Sequence, residues 1–326
     1  MRYKELGNTG MQISAVSLGS WGIGGAGWGE ISHEASVAAI RTAIDLGCNT
    51  IDTAPVYGFG DPSKDDFGYG FAEVVIREAI AGLRDKLVVT TKCGLNYDRS
   101  IGPRSLYKRM TKEEVITGCE GSLKRLGTDY IDVLFIHWPD NKTPLEEALE
   151  GMRVLMEQGK IRHYGLSNFT LEDTIRADEM LHVAAIQPQY SMVARQDEKL
   201  MQAVKARGIG TMTYGSLGSG ILTGAYRTLP NFDPRDTRVT FYDYFKEPKF
   251  SRIMKLLAVM DEIAAQRGVP VSHVAINWST QKDFVDTAIM GCSKPNHAIQ
   301  NCAALDWSLS GEEIRILDQA IAQNLE

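Results

Sequence analysis

Several side chains that can hold or move a proton stand at the ends of short apolar runs. Asp52 closes Thr50-Ile51-Asp52, Lys92 follows Leu87–Thr91, and His137 follows Ile131–Ile136, with Tyr57 a few residues beyond Asp52. Further along, Ser167-Asn168, Gln187, Tyr214 and Gly291-Cys292-Ser293-Lys294 occupy the same place after later runs. A carboxylate, an ammonium, an imidazole and a phenol are the groups of general acid–base catalysis. Taken singly each has a plain reading: a helix cap, a surface charge, a core histidine, a packing tyrosine. Their shared placement is the informative feature, because a barrel of parallel strands gathers all its C-terminal strand ends on one face.

The elements that must position these groups are legible in the pattern. Apolar runs recur at Ala15–Leu18, Thr50–Asp52, Leu87–Thr91, Ile131–Ile136, His163–Leu166, Ala184–Ile186, Gly210–Thr213 and Asp286–Met290. Each is short and bounded by turn or polar residues, as buried parallel strands are. Helix-length segments alternate with them: Val37–Ile44; Val115–Leu126, stopping at Gly127; and Leu145–Met156, before Gly159. About eight strand–helix pairs predict an α/β fold, a (β/α)8 TIM barrel. Arg2–Leu6 and Met11–Ile13 around Gly7-Asn8-Thr9-Gly10 predict an N-terminal β-hairpin. Ser310 with Glu313 forms a capping box that opens an extra C-terminal helix. The long aromatic and basic stretch Thr223–Phe250 reads as an active-site loop. No linker divides the chain, so residues 1–326 are expected to form a single domain.

Composition narrows the function. With 44% hydrophobic residues the chain can offset the entropy of ordering itself, which excludes disorder. A formal net charge of -6 argues against nucleic acid as a partner. Every apolar stretch is interrupted before ~20 residues, and the N-terminus has no apolar leader, which predicts no membrane association. Five cysteines, an odd number without a C-x-x-C pair, suit reduced buried thiols and a cytoplasmic location, and no clustered ligands predict a metal site. Gly22-Ile23-Gly24-Gly25-Ala26-Gly27 has G-x-G-x-x-G spacing. A Rossmann site would need a helix to open within it, whereas the next helix is expected only after Ser32.

Several motifs in register resemble the aldo-keto reductase superfamily across essentially the whole chain. They are Asp52–Gly58, Thr90-Thr91-Lys92, Phe135–Asp140, Gly165–Phe169, Gln187–Ser191, Tyr214–Gly224 and Ile289-Met290-Gly291. The resemblance implies a barrel that binds NADP(H) across its C-terminal face, and a catalytic tetrad of Asp52, Tyr57, Lys92 and His137. Carbonyl reduction leaves a developing alkoxide that needs a proton donor, the role implied for Tyr57. An ammonium ~4 Å from a phenolate interacts by ~4 kcal/mol at an effective dielectric of ~20. At ~1.36 kcal/mol per pKa unit, Lys92 alone would lower Tyr57 by roughly two to three units. Asp52 would keep buried Lys92 charged, and a neutral His137 would orient the substrate oxygen.

The resemblance places Ser167, Asn168 and Gln187 on the nicotinamide carboxamide and Tyr214 against the ring. It places Gly215, Ser216, Leu217, Gly218 and Gly220 along the pyrophosphate. Ser293 and Lys294 would meet a 2′-phosphate, and His297 and Asn301 the adenine end; Gly19, Ser20, Trp21 and Gly291 complete the cofactor groove. Trp21, Trp28 and Trp138 would wall the substrate pocket beside Tyr57 and His137. The resemblance implies NADP(H) as the preferred cofactor, with NAD(H) still open, and a small aldehyde, ketone or open-chain sugar as the substrate. Two departures stand out. An insertion, Phe59–Gly68, starts beside Tyr57 and is expected near the pocket, and His297 stands where many members carry Gln. Arg227, Arg235 and Arg238 are expected to meet cofactor phosphates or solvent. The alternative is a redox-sensing partner subunit resembling potassium-channel β subunits. A barrel hydrolase would need a second carboxylate at another strand end.

Overall fold

The computed structural model describes residues 1–25, 31–61, 63–100, 105–233 and 236–325. Its centre is a closed barrel of eight strands: Val16–Gly19, Thr50–Asp52, Val88–Cys93, Ile131–Ile136, Ile161–Ser167, Ala185–Gln187, Gly210–Thr213 and Thr287–Gly291. Every pairing is parallel, and the last strand closes on the first, with Gly291 opposite Gly19. Each expected run is therefore a strand, shifted by two residues or fewer at most ends. The runs are apolar throughout because the strands face side chains inside the barrel and helices outside it.

The N-terminal hairpin, Tyr3–Glu5 paired antiparallel with Gln12–Ser14, closes the bottom of the barrel. Its Leu6 and Ile13 are fully buried against Val88, Val133, Phe135, Met212 and Ile289, which fill the interior. The surrounding helices begin and end where their capping chemistry directs. Ser32 accepts from the Ala35 N–H at the start of His33–Asp45, and Thr111 from Glu114 N–H before Lys112–Leu126. That second helix ends at Gly127, whose φ of 63° is a left-handed C-terminal stop. Ser310 and Glu313 exchange reciprocal hydrogen bonds at the start of Gly311–Leu325, as the capping box requires.

Two features go beyond the sequence reading. A second antiparallel hairpin, Leu95–Tyr97 with Leu106–Lys108, rises from the third barrel strand. Two helices, Lys249–Arg267 and Val271–Thr280, lie between the seventh and eighth strands instead of one. Residues Val271 and His273–Thr280 of the latter are all buried, so it lacks the polar stripe by which a surface helix is recognised. Lys249–Arg267 packs on the C-terminal helix, with Arg267 donating to both carboxylate oxygens of Glu313. Among its described residues the stretch 223–250 contains the helical turn Thr237–Thr240, and its last two residues already belong to Lys249–Arg267.

Candidate active site

The C-terminal strand ends open onto a cavity of about 630 Å³. Asp52, Tyr57 and His137 line it, and Lys92 lies just beneath, 1% exposed. The second and third strands pair Asp52 with Thr90, which brings the carboxylate beside Lys92. Lys92 Nζ donates to Asp52 Oδ1 and Oδ2 at 2.9 and 2.8 Å and to the Thr53 carbonyl at 2.8 Å, using all three of its hydrogens. Asp52 Oδ1 also accepts from Thr90 Oγ1 and Gln187 Nε2. A buried ion pair is tolerable only with its remaining valences satisfied in this way.

Tyr57 packs over this pair, with Lys92 Nζ 4.9 Å from its ring centroid. The His137 ring meets it edge-on at 6.2 Å, and Trp21 stacks on it at 6.0 Å. Burial, then the charge of Asp52 and the neighbouring Tyr214 and Tyr242 phenols, hold Tyr57 well above the ordinary phenol range. Burial and the Asp52 charge thus set the net direction for Tyr57, opposing the lowering that Lys92 alone would give. His137 is held well below the usual imidazole range by burial, Lys92 and Lys108, and is neutral as expected. Lys92 itself is lowered by burial, against the opposing pull of Asp52 and Glu73.

Most of the expected cofactor residues share the cavity wall: Gly19, Trp21, Ser167, Asn168, Gln187, Tyr214, Gly215, Ser216, Leu217, Gly220, Gly291, Ser293, His297 and Asn301. Ser20, Gly218 and Lys294 do not line it. Ser20 and Gly218 are buried behind it, and Lys294 is an exposed residue at the N-cap position of the helix Pro295–Ala303. The amides are already engaged within the protein. Asn168 Nδ2 donates to the His137 carbonyl and Ser167 Oγ, its Oδ1 accepts from Tyr214 OH, and Gln187 Nε2 is committed to Asp52. Asn168 sits at φ 63°, a left-handed conformation that Asn tolerates and that these bonds over-determine.

Trp21 and Trp138 stand in the wall as expected, while Trp28 lies outside the described residues. The long stretch 223–250 does contribute wall: Thr223, Ala225, Tyr226, Arg238, Phe241 and Tyr242. Its cations are largely spent. Arg238 is bound by both oxygens of Asp236 and by Tyr226 OH, Arg227 forms a bidentate pair with Asp261, and Arg235 lies outside the described residues. No described residue of the insertion 59–68 lines the cavity. It turns outward instead, with Phe59 against Tyr97 of the second hairpin and Lys64 donating to the Gly24 carbonyl. The glycine run rejected as a Rossmann motif has a packing role. A Cβ on Gly24 would lie 2.2 Å from Gly58 N, so the first loop and the Tyr57 loop touch backbone to backbone. Trp21–Gly24 forms a short 3-10 turn, and among the described residues the next helix starts only at His33, as expected.

The cavity suits an extended dinucleotide. It runs from the Trp21, Tyr57 and Trp138 aromatics to Ser293, His297 and Asn301, and a Cβ on Gly291 would meet nothing within 4 Å. Wall residues unforeseen in the sequence include Val56, Leu95, Ser272 and Gln300; none has a chemical signal that would single it out. Among the described residues no group of three or more His, Cys, Asp or Glu could hold a metal ion, and no helix is long and apolar enough to cross a membrane.

Comparison with known proteins agrees with this geometry. The sequence model of the aldo/keto reductase family matches residues 15–322. Aldo-keto reductase YhdN of Bacillus subtilis is 35% identical, over 96% of this chain and 91% of that protein. An NADH-specific methylglyoxal reductase of Escherichia coli is 29% identical, covering 100% of both chains. A putative voltage-gated potassium channel subunit beta of Schizosaccharomyces pombe is also 29% identical, over 98% of this chain and 93% of that one. The solved glycerol dehydrogenase AKR11B4 of Gluconobacter oxydans superposes with a TM-score of 0.87 at 30% identity, covering 99% of this chain and 96% of that one. By barrel, strand-end residues and sequence alike, the chain belongs to the aldo/keto reductase family.

Proposed function

We propose that the protein is an NADP(H)-preferring oxidoreductase that reduces a small aldehyde, ketone or open-chain sugar to the alcohol, with Tyr57 as general acid. The observation that carries this reading is the placement of the Tyr57 phenol over the buried Lys92–Asp52 pair and edge-on to His137 in the cavity, where burial favours a protonated phenol and a neutral imidazole. A reduced nicotinamide, when bound, supplies the hydride. The chain does the rest. His137 and Tyr57 hold the carbonyl oxygen, and the Tyr57 proton passes to that oxygen as negative charge develops there. The phenolate left behind is stabilised by Lys92 until a proton returns from solvent. Trp21 and Trp138 wall the substrate, while Ser167, Asn168, Gln187 and Tyr214 form the nicotinamide end of the groove.

Ser293 beside the exposed Lys294 supports the preference for a 2′-phosphate; the NADH-specific relative keeps NAD(H) open. Five free, buried cysteines suit a reducing compartment, and we place the protein in the cytoplasm as a single barrel domain. The test is nicotinamide absorbance with NADPH and NADH against a panel of aliphatic, aromatic, dicarbonyl and sugar aldehydes. Tyr57→Phe should lower kcat by about 10²–10⁴-fold while cofactor binding persists. Wild-type turnover in that variant would overturn the assignment. The channel-subunit relative motivates one competing outcome: tight cofactor binding without turnover on any substrate, the behaviour of a redox-sensing partner.

A further inference from the structure

We infer that Glu73, with Arg125 and Thr91, is a positioning unit that fixes the Tyr57 loop against the strand bearing Lys92. The inference rests on the proposed role of Tyr57. Glu73 is fully buried on the helix Phe71–Ala79, outside the cavity. Its Oε1 accepts from Thr91 Oγ1 at 2.7 Å, and its Oε2 from Arg125 Nε at 2.6 Å. Thr91 directly precedes Lys92 on the third strand; because side chains alternate, Thr91 faces the helices while Lys92 reaches Asp52. The carboxylate therefore holds the outer face of the residue next to the buried ammonium.

The other end of the unit holds Tyr57. The start of the Glu73 helix is hydrogen-bonded to the Tyr57 loop: Gly70 N–H donates to the Pro55 carbonyl and Ala72 N–H to the Tyr57 carbonyl. Arg125 clamps that entry. A Cβ on Gly70 would lie 2.2 Å from Arg125 Cδ, and the guanidinium carbon sits 5.6 Å from the Tyr69 ring centroid. Arg125 Nη2 also donates to Ser122 Oγ on its own helix. One carboxylate thus joins the helix start, the third strand and the helix Lys112–Leu126. Glu73 also favours the charged form of Lys92, as Asp52 does, while Tyr57 and His137 are the other titratable groups facing that ammonium from the cavity side.

The test is steady-state kinetics and pH profiles of folded variants on any carbonyl the wild type reduces. Thr91→Val, close in shape but unable to donate, should lower kcat about tenfold with the Kd for NADPH unchanged, and Thr91→Ser should restore it. Glu73→Gln keeps the shape and removes the charge; it should lower kcat further and move the alkaline limb of kcat to lower pH, because Lys92 loses a charge that favours its ammonium. Circular dichroism confirms that each variant is folded. If Glu73→Gln proves unfolded, the Val and Ser pair at position 91 decides the matter alone. Wild-type kcat in Thr91→Val, or an unmoved alkaline limb in folded Glu73→Gln, would overturn the inference. Failure of the Tyr57 assignment is separate, because it would appear as turnover in Tyr57→Phe.

Discussion

The two ends of the cavity are built on different physics. At the Tyr57 end the central charged pair is buried and matched: Lys92 spends all three hydrogens on Asp52 and Thr53, and Asp52 accepts from Lys92, Thr90 and Gln187. At the Ser293–Asn301 end Lys294 and His297 are exposed, and the Ser293 Oγ to His297 Nδ1 contact is 3.5 Å. The first arrangement fixes geometry before any ligand arrives, as catalysis of a developing charge requires. The second leaves its donors solvated, so that ligand contacts replace water at little structural cost. The Tyr57 end is thereby fixed within the protein, and the Ser293–Asn301 end is held only loosely.

The largest contrast should appear in stability. Lys92→Met or Asp52→Asn removes one partner of a buried pair and strands the other, and should cost about 3–5 kcal/mol in denaturant unfolding. The double substitution should cost less than the sum, because no buried charge is then left alone. Lys294→Ala at the opposite end should change stability by less than about 0.5 kcal/mol. Comparable losses at both ends would break the distinction.

Sequence reading captured the rigid end better than the soft one, for physical reasons. Asp52, Lys92 and His137 terminate strands whose burial on both faces writes unbroken apolar runs, and Ser32, Gly127, Ser310 and Glu313 carry their capping chemistry locally. The second hairpin was missed because Leu106–Lys108 is largely solvated and its chemistry is that of a polar loop. The helix Val271–Thr280 hid for the opposite reason, being buried on all sides. Gln187 lines the cavity, and the sixth strand also delivers its amide Nε2 to Asp52 from 135 residues away, a contact no local pattern encodes. The outward turn of the insertion depends likewise on Tyr97, which belongs to that unforeseen hairpin.

An intermediate effect concerns pH. His137 titrates well below 6.5 in the folded protein because burial, Lys92 and Lys108 oppose its charge, whereas the unfolded chain takes up that proton near 6.5. Between the two values the unfolded state binds more protons, so the stability from neutral His137 is complete above about pH 6.5 and declines as pH falls, by up to ~1.4 kcal/mol per pH unit. His297 is also lowered, by burial and Lys294, but stands exposed. Unfolding free energies between about pH 4 and 7 should therefore flatten more in His137→Gln than in His297→Gln. Equal flattening would mean that the two ends are equally desolvated.

The smallest effect is the most direct probe of the soft end. Lys294 stands at the N-cap position of the helix Pro295–Ala303 without a side-chain capping bond, and is paired with no carboxylate among the described residues. An exposed cation meeting a phosphate is worth roughly as much as other exposed pairs, about 0.2–1 kcal/mol. Isothermal titration should thus give a Kd for NADPH raised by at most about fivefold in Lys294→Ala, with NADH changed less than about twofold. The salt dependence separates the causes. A purely electrostatic contact weakens toward the variant's affinity as ionic strength rises, because the Debye length shortens from about 10 Å at 0.1 M to about 3 Å at 1 M. An equal loss for NADH would show that Lys294 does not read the 2′-phosphate, which would then have to be read by Ser293, His297 or backbone N–H groups.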